Sequence, residues 1–159
     1  MNPSVRSKVA AGAGAIAIAT AAVAMFEGLV LTTYPDVGNV PTYCYGETRN
    51  AEWGRTYTKE QCDAQLSARL REFNAGVNSC VTVELPDTRR AAFVSLAYNI
   101  GTGAFCKSTV VRKINAGDVQ GSCDAILMWN KVKGVVWRGL TKRREQEREL
   151  CLLPERTQP

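Results

Sequence analysis

An uncharged run near the N-terminus constrains this chain more than any other feature. The run extends over eighteen residues, from Val9 to Phe26, and Arg6 and Lys8 precede it. A cationic flank followed by an apolar stretch of this length is typical of an export signal or a short membrane span. The chain is therefore predicted to meet a bilayer. The positive-inside rule places everything after the run outside the cytoplasm, in the periplasm of a Gram-negative cell.

The run is only weakly apolar. Nine of its eighteen residues are Ala and two are Gly, and only five belong to the strongly inserting types. These five residues contribute roughly 1.5 to 3 kcal/mol to membrane insertion, about as much as one charge at the membrane centre would cancel. We therefore predict that the segment can enter a membrane and leave it again.

Two other fates for this segment compete with that prediction. Cleavage at the small residues of Ala22-Val23-Ala24 would leave Glu27 as the third residue of the chain, with no helix before it to hold it. A permanent membrane anchor is disfavoured by the Ala and Gly content. We accordingly divide the chain into a membrane segment, residues 1–26, and one folded domain, residues 27–159, a size at which a single hydrophobic core is expected.

The composition limits which partners and which catalytic groups the chain can use. The chain has 20 Lys plus Arg against 15 Asp plus Glu, a formal charge of +5, which favours acidic partners such as nucleic acid, anionic lipid or cell-wall polymer. It contains no histidine, which excludes Ser-His-Asp and Cys-His nucleophiles and most zinc sites. Proton transfer must then fall to carboxyl groups, and we expect no metal and no cofactor.

Six cysteines are spread through the chain without any C-x-x-C pair: Cys44, Cys62, Cys80, Cys106, Cys123 and Cys151. An even number in this arrangement predicts disulfides rather than a metal site, and disulfides imply an oxidising compartment. Pairing in sequence order would join Cys44 to Cys62, Cys80 to Cys106 and Cys123 to Cys151, which is one of the fifteen pairings that six cysteines allow. Together with the export segment, the cysteines argue against a nucleic-acid partner.

The pattern after residue 30 predicts a small irregular hairpin region followed by helices. Thr, Tyr, Val and turn-forming residues dominate Leu31 to Arg55. Capping residues and apolar spacing predict helices over Thr58 to about Asn78, Pro86 to Gly101, Ser108 to Gly117, Asp118 to Trp129, and Leu140 to about Leu152, with a loop between Gly134 and Gly139. The fold class is therefore α+β, mostly helical, with a small sheet near the N-terminus.

Two carboxylates and a hydroxyl after the apolar run form a candidate catalytic group. Hydrolysis of a glycosidic bond needs one carboxyl group to protonate the leaving oxygen and a second group to support the attacking water. Glu27 lies beside apolar residues, where burial favours the protonated form that an acid requires. Asp36 lies in a polar, turn-rich stretch that favours the ionised form, and Thr42 supplies a hydroxyl that can hold a water.

The segments that carry these three residues are Glu27-Gly-Leu, Tyr34-Pro-Asp36 and Thr42-Tyr-Cys-Tyr-Gly46. In order and spacing they resemble the Glu, Asp and Thr triad of the T-even-type phage lysozymes, glycoside hydrolase family 24. Later stretches similar to the same family are Phe93-Val-Ser-Leu-Ala-Tyr-Asn99-Ile-Gly101, Ser108-Thr109 with Asn115-Ala-Gly-Asp118, and Gly139-Leu-Thr-Lys-Arg143-Arg144-Glu-Gln-Glu147. The likeness covers about residues 26 to 152.

The resemblance implies a lysozyme-like, two-lobed domain with a helical C-terminal lobe. It also implies a muramidase that hydrolyses the β-1,4 bond between N-acetylmuramic acid and N-acetylglucosamine in peptidoglycan and so lyses the host cell as a monomer. Glu27 would be the general acid, Asp36 the electrostatic partner that holds the water, and Thr42 the residue that orients it. The family is similar to inverting glycosidases, so the two carboxyl groups are expected roughly 6.5 to 9.5 Å apart.

Substrate-binding positions follow from the same resemblance. Asn99, Arg143 and Arg144 match the family, and we expect the two arginines to shape the cleft through salt bridges near Glu27. The chain departs from the family's pattern at two positions. Glu47 stands where many relatives have His, and Cys44 replaces a glycine; the first departure puts the local proton network in doubt.

The weakly apolar N-terminus resembles the signal-arrest-release segments of certain endolysins, which tether the enzyme in an inactive form until the membrane is depolarised. Glu27 directly follows the segment, so it cannot reach a cleft while its helix lies in lipid. No cysteine precedes Cys44, so activation by a disulfide exchange within the segment is disfavoured. We expect the freed segment to refold onto the domain, and the enzyme to move from the inner membrane to the periplasm.

Two rival functions fit parts of the sequence. A lytic transglycosylase would share the catalytic Glu and the substrate but would need neither Asp36 nor Thr42, and it would leave a 1,6-anhydro sugar. A non-enzymatic protein that binds membrane or cell wall would rest on the basic C-terminal third and the apolar segment alone. Glu27→Gln distinguishes this binder from a hydrolase, because only the hydrolase would lose its activity.

Overall fold

The computed structural model describes residues 1–154, and most of these residues are helical. Residues 155–159, the end of the predicted domain, lie outside the described residues. The elements of the described part, in chain order, are α1 Pro3–Ala10, α2 Ala15–Glu27, β1 Val30–Pro35, β2 Pro41–Cys44, α3 Lys59–Cys80, α4 Asp87–Ile100, α5 Thr102–Cys106, α6 Thr109–Asn115, α7 Val119–Ala125, a 3₁₀ turn Ile126–Met128, β3 Lys131–Val132, β4 Val135–Val136 and α8 Arg138–Cys151. The predicted class, α+β and mostly helical, is confirmed.

The N-terminal segment forms two helices that pack into the domain. After α1 the chain turns at Gly12, which has φ +68°. The face of α2 that packs against α3 and α4 consists of small and β-branched side chains, namely Ala15, Ile18, Ala19, Ala22 and Val23. A hydrogen bond of 2.9 Å also joins the hydroxyl groups of Thr20 and Ser67 on α3. Among the helices of residues 1–154, none has both the length and the apolarity to cross a membrane.

The first two strands form the hairpin that the sequence predicts between Leu31 and Arg55. β1 and β2 are antiparallel, with Tyr34 opposite Thr42 and Val30 opposite Cys44, and an irregularity interrupts the register between these pairs. The hairpin begins three residues after α2 ends. The end of the N-terminal segment and this small sheet are therefore neighbours.

Three disulfides connect elements that are distant in sequence, and they match the pairing in sequence order. Cys44–Cys62 joins β2 to α3, Cys80–Cys106 joins the ends of α3 and α5, and Cys123–Cys151 joins α7 to the end of α8. They close loops of 18, 26 and 28 residues, so each removes conformational freedom from the unfolded chain.

The centre of the domain is α4. Its residues from Ala91 to Ala97 are all buried, and it packs against α2, α3 and α8. Phe93 meets Phe105 of α5 with their ring centroids 5.7 Å apart. Gly101, at φ +88°, ends α4 as the sequence predicts. The capping box predicted at Thr58 also starts α3.

The prediction of a loop between Gly134 and Gly139 is wrong, because a strand follows Gly134 and the last helix begins before Gly139. β3 and β4 form a second antiparallel hairpin, whose turn contains Lys133 at φ +48° and Gly134 at φ +79°. Positive φ at both central residues is the geometry of a type I′ turn, whose twist suits a two-residue hairpin. α8 then begins at Arg138, so Gly139 lies inside the helix. Strands of two residues carry too little alternation for a sequence pattern to reveal them.

Candidate active site

Glu27 is the last residue of α2 and lies where the chain turns into the first hairpin. Gly28 follows with φ +73°, a conformation that favours glycine, and it redirects the chain into β1. The buried face of α2 fixes the direction of this helix end. The Glu27 side chain, 26% exposed, therefore reaches the surface at a defined place.

Arg143 of α8 holds the Glu27 carboxyl group. Its Nη1 donates a hydrogen bond to Glu27 Oε1 at 2.8 Å, and its guanidinium carbon lies 4.7 Å from the centre of the Phe26 ring. The salt bridge that the sequence predicts near Glu27 is therefore present for Arg143. It also makes the setting of Glu27 less apolar than its sequence neighbours suggest, because a nearly buried cation touches the carboxylate.

Two buried charged residues, Glu147 and Arg144, hold Arg143 in place for this contact. Glu147 accepts a hydrogen bond of 3.2 Å from Arg143 Nε and one of 2.6 Å from the hydroxyl of Ser95, and its Oε2 lies 2.8 Å from Arg144 Nε. Arg144 is fully buried. Burial lowers the pKa of Arg144 to about 10, a shift that Glu147 opposes, so the guanidinium stays charged at neutral pH. Arg144 pairs with Glu147, and within the described residues the predicted salt bridge to Glu27 is formed by Arg143 and not by Arg144.

A cleft of about 290 Å³ opens in front of Glu27. Side chains and backbone from α2, from the loop after β2, from α3 and from α4 line it, namely Glu27, Gly46, Glu47, Thr48, Arg69, Phe73, Tyr98 and Asn99. Asn99, which the sequence assigns to substrate binding, thus lies on the wall of the same cleft as Glu27. Asp36 and Thr42 are not among the residues that line this volume.

Glu47 brings a second carboxylate to the cleft wall. Its Oε1 accepts hydrogen bonds of 2.9 Å from the backbone N–H groups of both Thr48 and Arg49, and its Oε2 accepts one from Gln65. Arg69 Nε lies 3.9 Å from the same Oε2. Every one of these partners is a donor, so Glu47 acts as a hydrogen-bond acceptor through both carboxyl oxygens.

The β1–β2 hairpin positions Asp36 and Thr42. Asp36 Oδ1 accepts hydrogen bonds from the backbone N–H groups of Gly38, at 2.8 Å, and Val40, at 2.9 Å, so one carboxylate oxygen is fixed by its own turn. Thr42 is buried, and its hydroxyl donates to the carbonyl oxygen of Val40 at 3.0 Å. Both side chains are thus held by local contacts, and each keeps an oxygen lone pair for a further partner.

Tyr98 lies close to both carboxylates of the cleft wall. Burial raises the pKa of its phenol above the ordinary value, and the negative charges of Glu27 and Glu47 raise that pKa further. The phenol therefore remains protonated at neutral pH and can donate a hydrogen bond into the cleft.

The sequence did not assign six of the eight cleft residues to the site, and four of the six carry large side chains: Glu47, Arg69, Phe73 and Tyr98. The departure from the family's His marked Glu47, and Tyr98 lies beside Asn99 in a family-like stretch, so both carried a signal. Arg69 and Phe73 lie one helical turn apart on α3, with the Arg69 guanidinium carbon 5.2 Å from the Phe73 ring centre. Helical spacing alone does not tell a cleft wall from a core face.

An α+β domain with a small hairpin, a helical remainder and a carboxylate-bearing cleft between them defines a lysozyme-like protein. The phage lysozyme family model matches residues 24–147. That match spans most of the chain, and the chain therefore belongs to the phage lysozyme family.

Known relatives and solved structures agree with this membership. A SAR-endolysin of Enterobacteria phage P21 is 43% identical over 161 aligned positions, which cover 96% of this chain and 98% of the relative. A crystal structure of a P22 lysozyme variant superposes with a TM-score of 0.80 at 33% identity, covering 85% of this chain and 95% of the other. The muramidase domain of SpmX from Asticaccaulis excentricus gives a TM-score of 0.78 at 31% identity, covering 86% and 95%.

Proposed function

We propose that this chain, a peptidoglycan-lysing endolysin of the phage lysozyme family, hydrolyses the β-1,4 bond between N-acetylmuramic acid and N-acetylglucosamine with Glu27 as general acid. The observation that carries the proposal is the geometry of Glu27. This carboxyl group ends a buried helix, lines a cleft and, among residues 1–154, is held by Arg143 through Oε1 and not through Oε2. The other oxygen, Oε2, is then the one that carries the proton to the sugar.

In the proposed reaction, Glu27 Oε2–H protonates the glycosidic oxygen while the bond between that oxygen and the anomeric carbon breaks. A water attacks the anomeric carbon from the opposite face and gives its proton to the Asp36 carboxylate. The turn around Asp36 supports this role, because it fixes Oδ1 with two backbone N–H groups and leaves Oδ2 to accept from the water. Thr42 would orient the same water through its hydroxyl oxygen.

Because the water attacks from the face opposite to the leaving oxygen, this reaction inverts the anomeric configuration. Inversion needs room for a water between the two carboxyl groups, which corresponds to roughly 6.5 to 9.5 Å. Proton NMR of the first product from a soluble chitooligosaccharide or glycan strand reads the anomer directly. The α-anomer is expected as the initial product, and an initial β-anomer would assign a retaining mechanism.

The acid role is tested by Glu27→Gln in assays on purified sacculi. We expect turnover to fall by at least about 100-fold, because removal of general acid catalysis costs this much or more. Glu84→Gln is the matched control, since Glu84 is exposed and lies outside the cleft lining. Released fragments should end in a reducing muramic acid; 1,6-anhydro ends would instead identify a lytic transglycosylase.

We further propose that residues 1–26 first tether the enzyme to the inner membrane and then dock as seen in α1 and α2, releasing a monomer to the periplasm. Relatives carrying the name SAR-endolysin support this proposal, as do the alanines on the docked face of α2. Ala11 and Ala17 are exposed in the docked state. Leucine at both positions should hold the chain in the membrane fraction, whereas serine at both should not.

Cell fractionation before and after membrane depolarisation reads the outcome. Because the two leucines lie outside the packed face, they strengthen insertion without blocking docking. Equal release of the leucine and serine variants would contradict the tethering proposal and would leave the acid role of Glu27 untouched.

A further inference from the structure

The second hairpin carries an uncovered apolar face. We define the hairpin finger as residues 131–137, which comprise β3, its turn, β4 and Trp137. Val132, Val135, Val136 and Trp137 are 42%, 63%, 55% and 54% exposed. All four side chains are therefore exposed within seven residues, and a large contiguous apolar patch on a soluble protein commonly marks an interaction site.

Register places three of these side chains on one side of the finger. Val132 lies opposite Val135, and residues opposite each other in an antiparallel pair share a face. Trp137 is two residues from Val135, and its backbone N–H donates to the carbonyl oxygen of Asn130 at 2.9 Å, which continues the ladder. Val132, Val135 and Trp137 therefore form one apolar face, while Val136 is exposed on the other.

The finger contains or precedes four cations that have no acidic neighbours in sequence. The twenty residues from Ala125 to Arg144 contain no acidic residue. Within the described residues, Lys131, Lys133, Arg138 and Lys142 form no ion pair. The hairpin therefore presents exposed valines and a tryptophan together with cations that lie in the finger or next to it in sequence.

We propose that the hairpin finger binds the surface of an anionic lipid bilayer. Exposed apolar side chains on both faces favour a bilayer, because the headgroup layer can surround a finger, whereas a glycan strand would cover one face. Tryptophan is favoured at the membrane interface, and the unpaired lysines complement lipid phosphates. Each cation near an anionic surface strengthens binding about fivefold.

This contact is separate from the N-terminal segment. The finger directly precedes α8 along the chain, whereas α2 belongs to the N-terminal segment and packs against α3 and α4. The proposal therefore concerns the folded enzyme, which would stay near the membrane surface through residues 131–137 and not through residues 1–26.

Vesicle cosedimentation of the full chain tests the proposal. Vesicles of phosphatidylglycerol and phosphatidylethanolamine are compared with pure phosphatidylcholine vesicles, and the variants are V135S/W137S and V37S/W53S. The second pair removes one exposed Val and one exposed Trp elsewhere, and both positions are at least as accessible as their counterparts. We expect V135S/W137S to weaken binding to the anionic vesicles at least tenfold and V37S/W53S to leave it unchanged.

Two further measurements separate the membrane from other anionic partners. K131Q/K133Q should weaken binding to the anionic vesicles by about 25-fold, from fivefold per cation, and should leave phosphatidylcholine binding as it was. In W53F/W129F, where Trp137 is the remaining tryptophan, its emission should shift to shorter wavelength with anionic vesicles. The proposal would be overturned by an unshifted emission, or by equal weakening of vesicle binding in both serine pairs. It would also be overturned if V135S/W137S lost binding to sacculi but kept full binding to vesicles.

Discussion

Arg143 is the residue on which the orientation of Glu27 most depends. It joins Glu27 to Glu147 and, through Glu147, to Arg144, so two cations and two anions share a poorly hydrated space. Such a group is stable only while every member has its partner, because an unpaired buried charge is expensive. The orientation of the proposed acid is therefore tied to the stability of the domain.

Replacing Arg143 by Met should therefore affect both properties. We expect a loss of roughly 3 to 5 kcal/mol in the free energy of unfolding, because Glu147 and Glu27 lose a buried partner. Turnover of sacculi should fall at the same time. Urea unfolding and a lysis assay at a temperature where the variant is folded measure the two effects. Arg143→Lys should recover part of each, since it restores the charge but not the planar donor set.

Lys142 provides the control for this experiment. It is exposed and forms no ion pair in the described part of the chain, so Lys142→Met should change the free energy of unfolding by no more than about 0.5 kcal/mol. A Lys142 variant that lost as much stability as the Arg143 variant would contradict the role given to the buried charges.

Asp36 and Glu47 are the two candidates for the second catalytic carboxylate, the one that accepts a proton from the attacking water. The proposed mechanism assigns the water to Asp36, whereas Glu47 lines the cleft and is satisfied by donors on both oxygens. We predict that Asp36→Asn lowers kcat by at least about 100-fold, and that Glu47→Gln mainly raises KM. Kinetics on a soluble glycan substrate distinguish the two, and the opposite ranking would move the water to Glu47.

The elements differ in how far the sequence alone predicts them. The start of α3 follows from its capping box, and the end of α4 follows from Gly101. The second hairpin could not be predicted, because its strands have two residues each. The sequence also predicts Glu27 as a site residue, but not Arg69 or Phe73, since only tertiary packing turns that part of α3 towards the cleft.

The residues of the N-terminal segment do not by themselves predict whether it lies in a bilayer or packs on the domain. Ala and Gly make it weakly apolar, which suits both a bilayer and a protein core. In the structure the choice rests on the partners of α2, such as Ser67, and on the buried surfaces of α3 and α4. These partners lie far along the chain, where no local pattern connects them to the segment.

The packed face of α2 makes a prediction at the scale of the element. Ala19 is fully buried against the domain, so Ala19→Leu should overpack this interface and destabilise the docked state by about 1 to 3 kcal/mol. Turnover by the purified enzyme should fall, because α2 carries Glu27. Ala17→Leu adds the same side chain at an exposed position and should leave the thermal midpoint unchanged. Thermal unfolding and turnover of the two purified variants provide the comparison.

At the scale of the whole molecule, the disulfides connect the first hairpin and the last helix to the central helices. Cys44–Cys62 ties β2, the strand that contains Thr42, to α3, and Cys123–Cys151 ties α7 to the end of α8. The hairpin with Asp36 and the helix with Arg143 are therefore both held by covalent links.

Removing one link should weaken the domain without changing its fold. The double variant Cys44→Ser/Cys62→Ser opens a loop of 18 residues, which corresponds to about 3 kcal/mol of lost stability. Guanidinium unfolding under oxidising conditions measures the loss. Under reducing conditions the wild type and the variant should become closer in stability, and an unchanged difference would show that the effect comes from packing of the serines.

The alanines of α2 have a consequence for how this sequence can vary. Under the proposed tethering, the same helix lies first in lipid and later against α3 and α4, and its small side chains suit both environments. A larger residue on the packed face would then strengthen membrane insertion and weaken docking. The same few methyl groups would set both how long the chain stays in the membrane and how firmly the end of α2 is held.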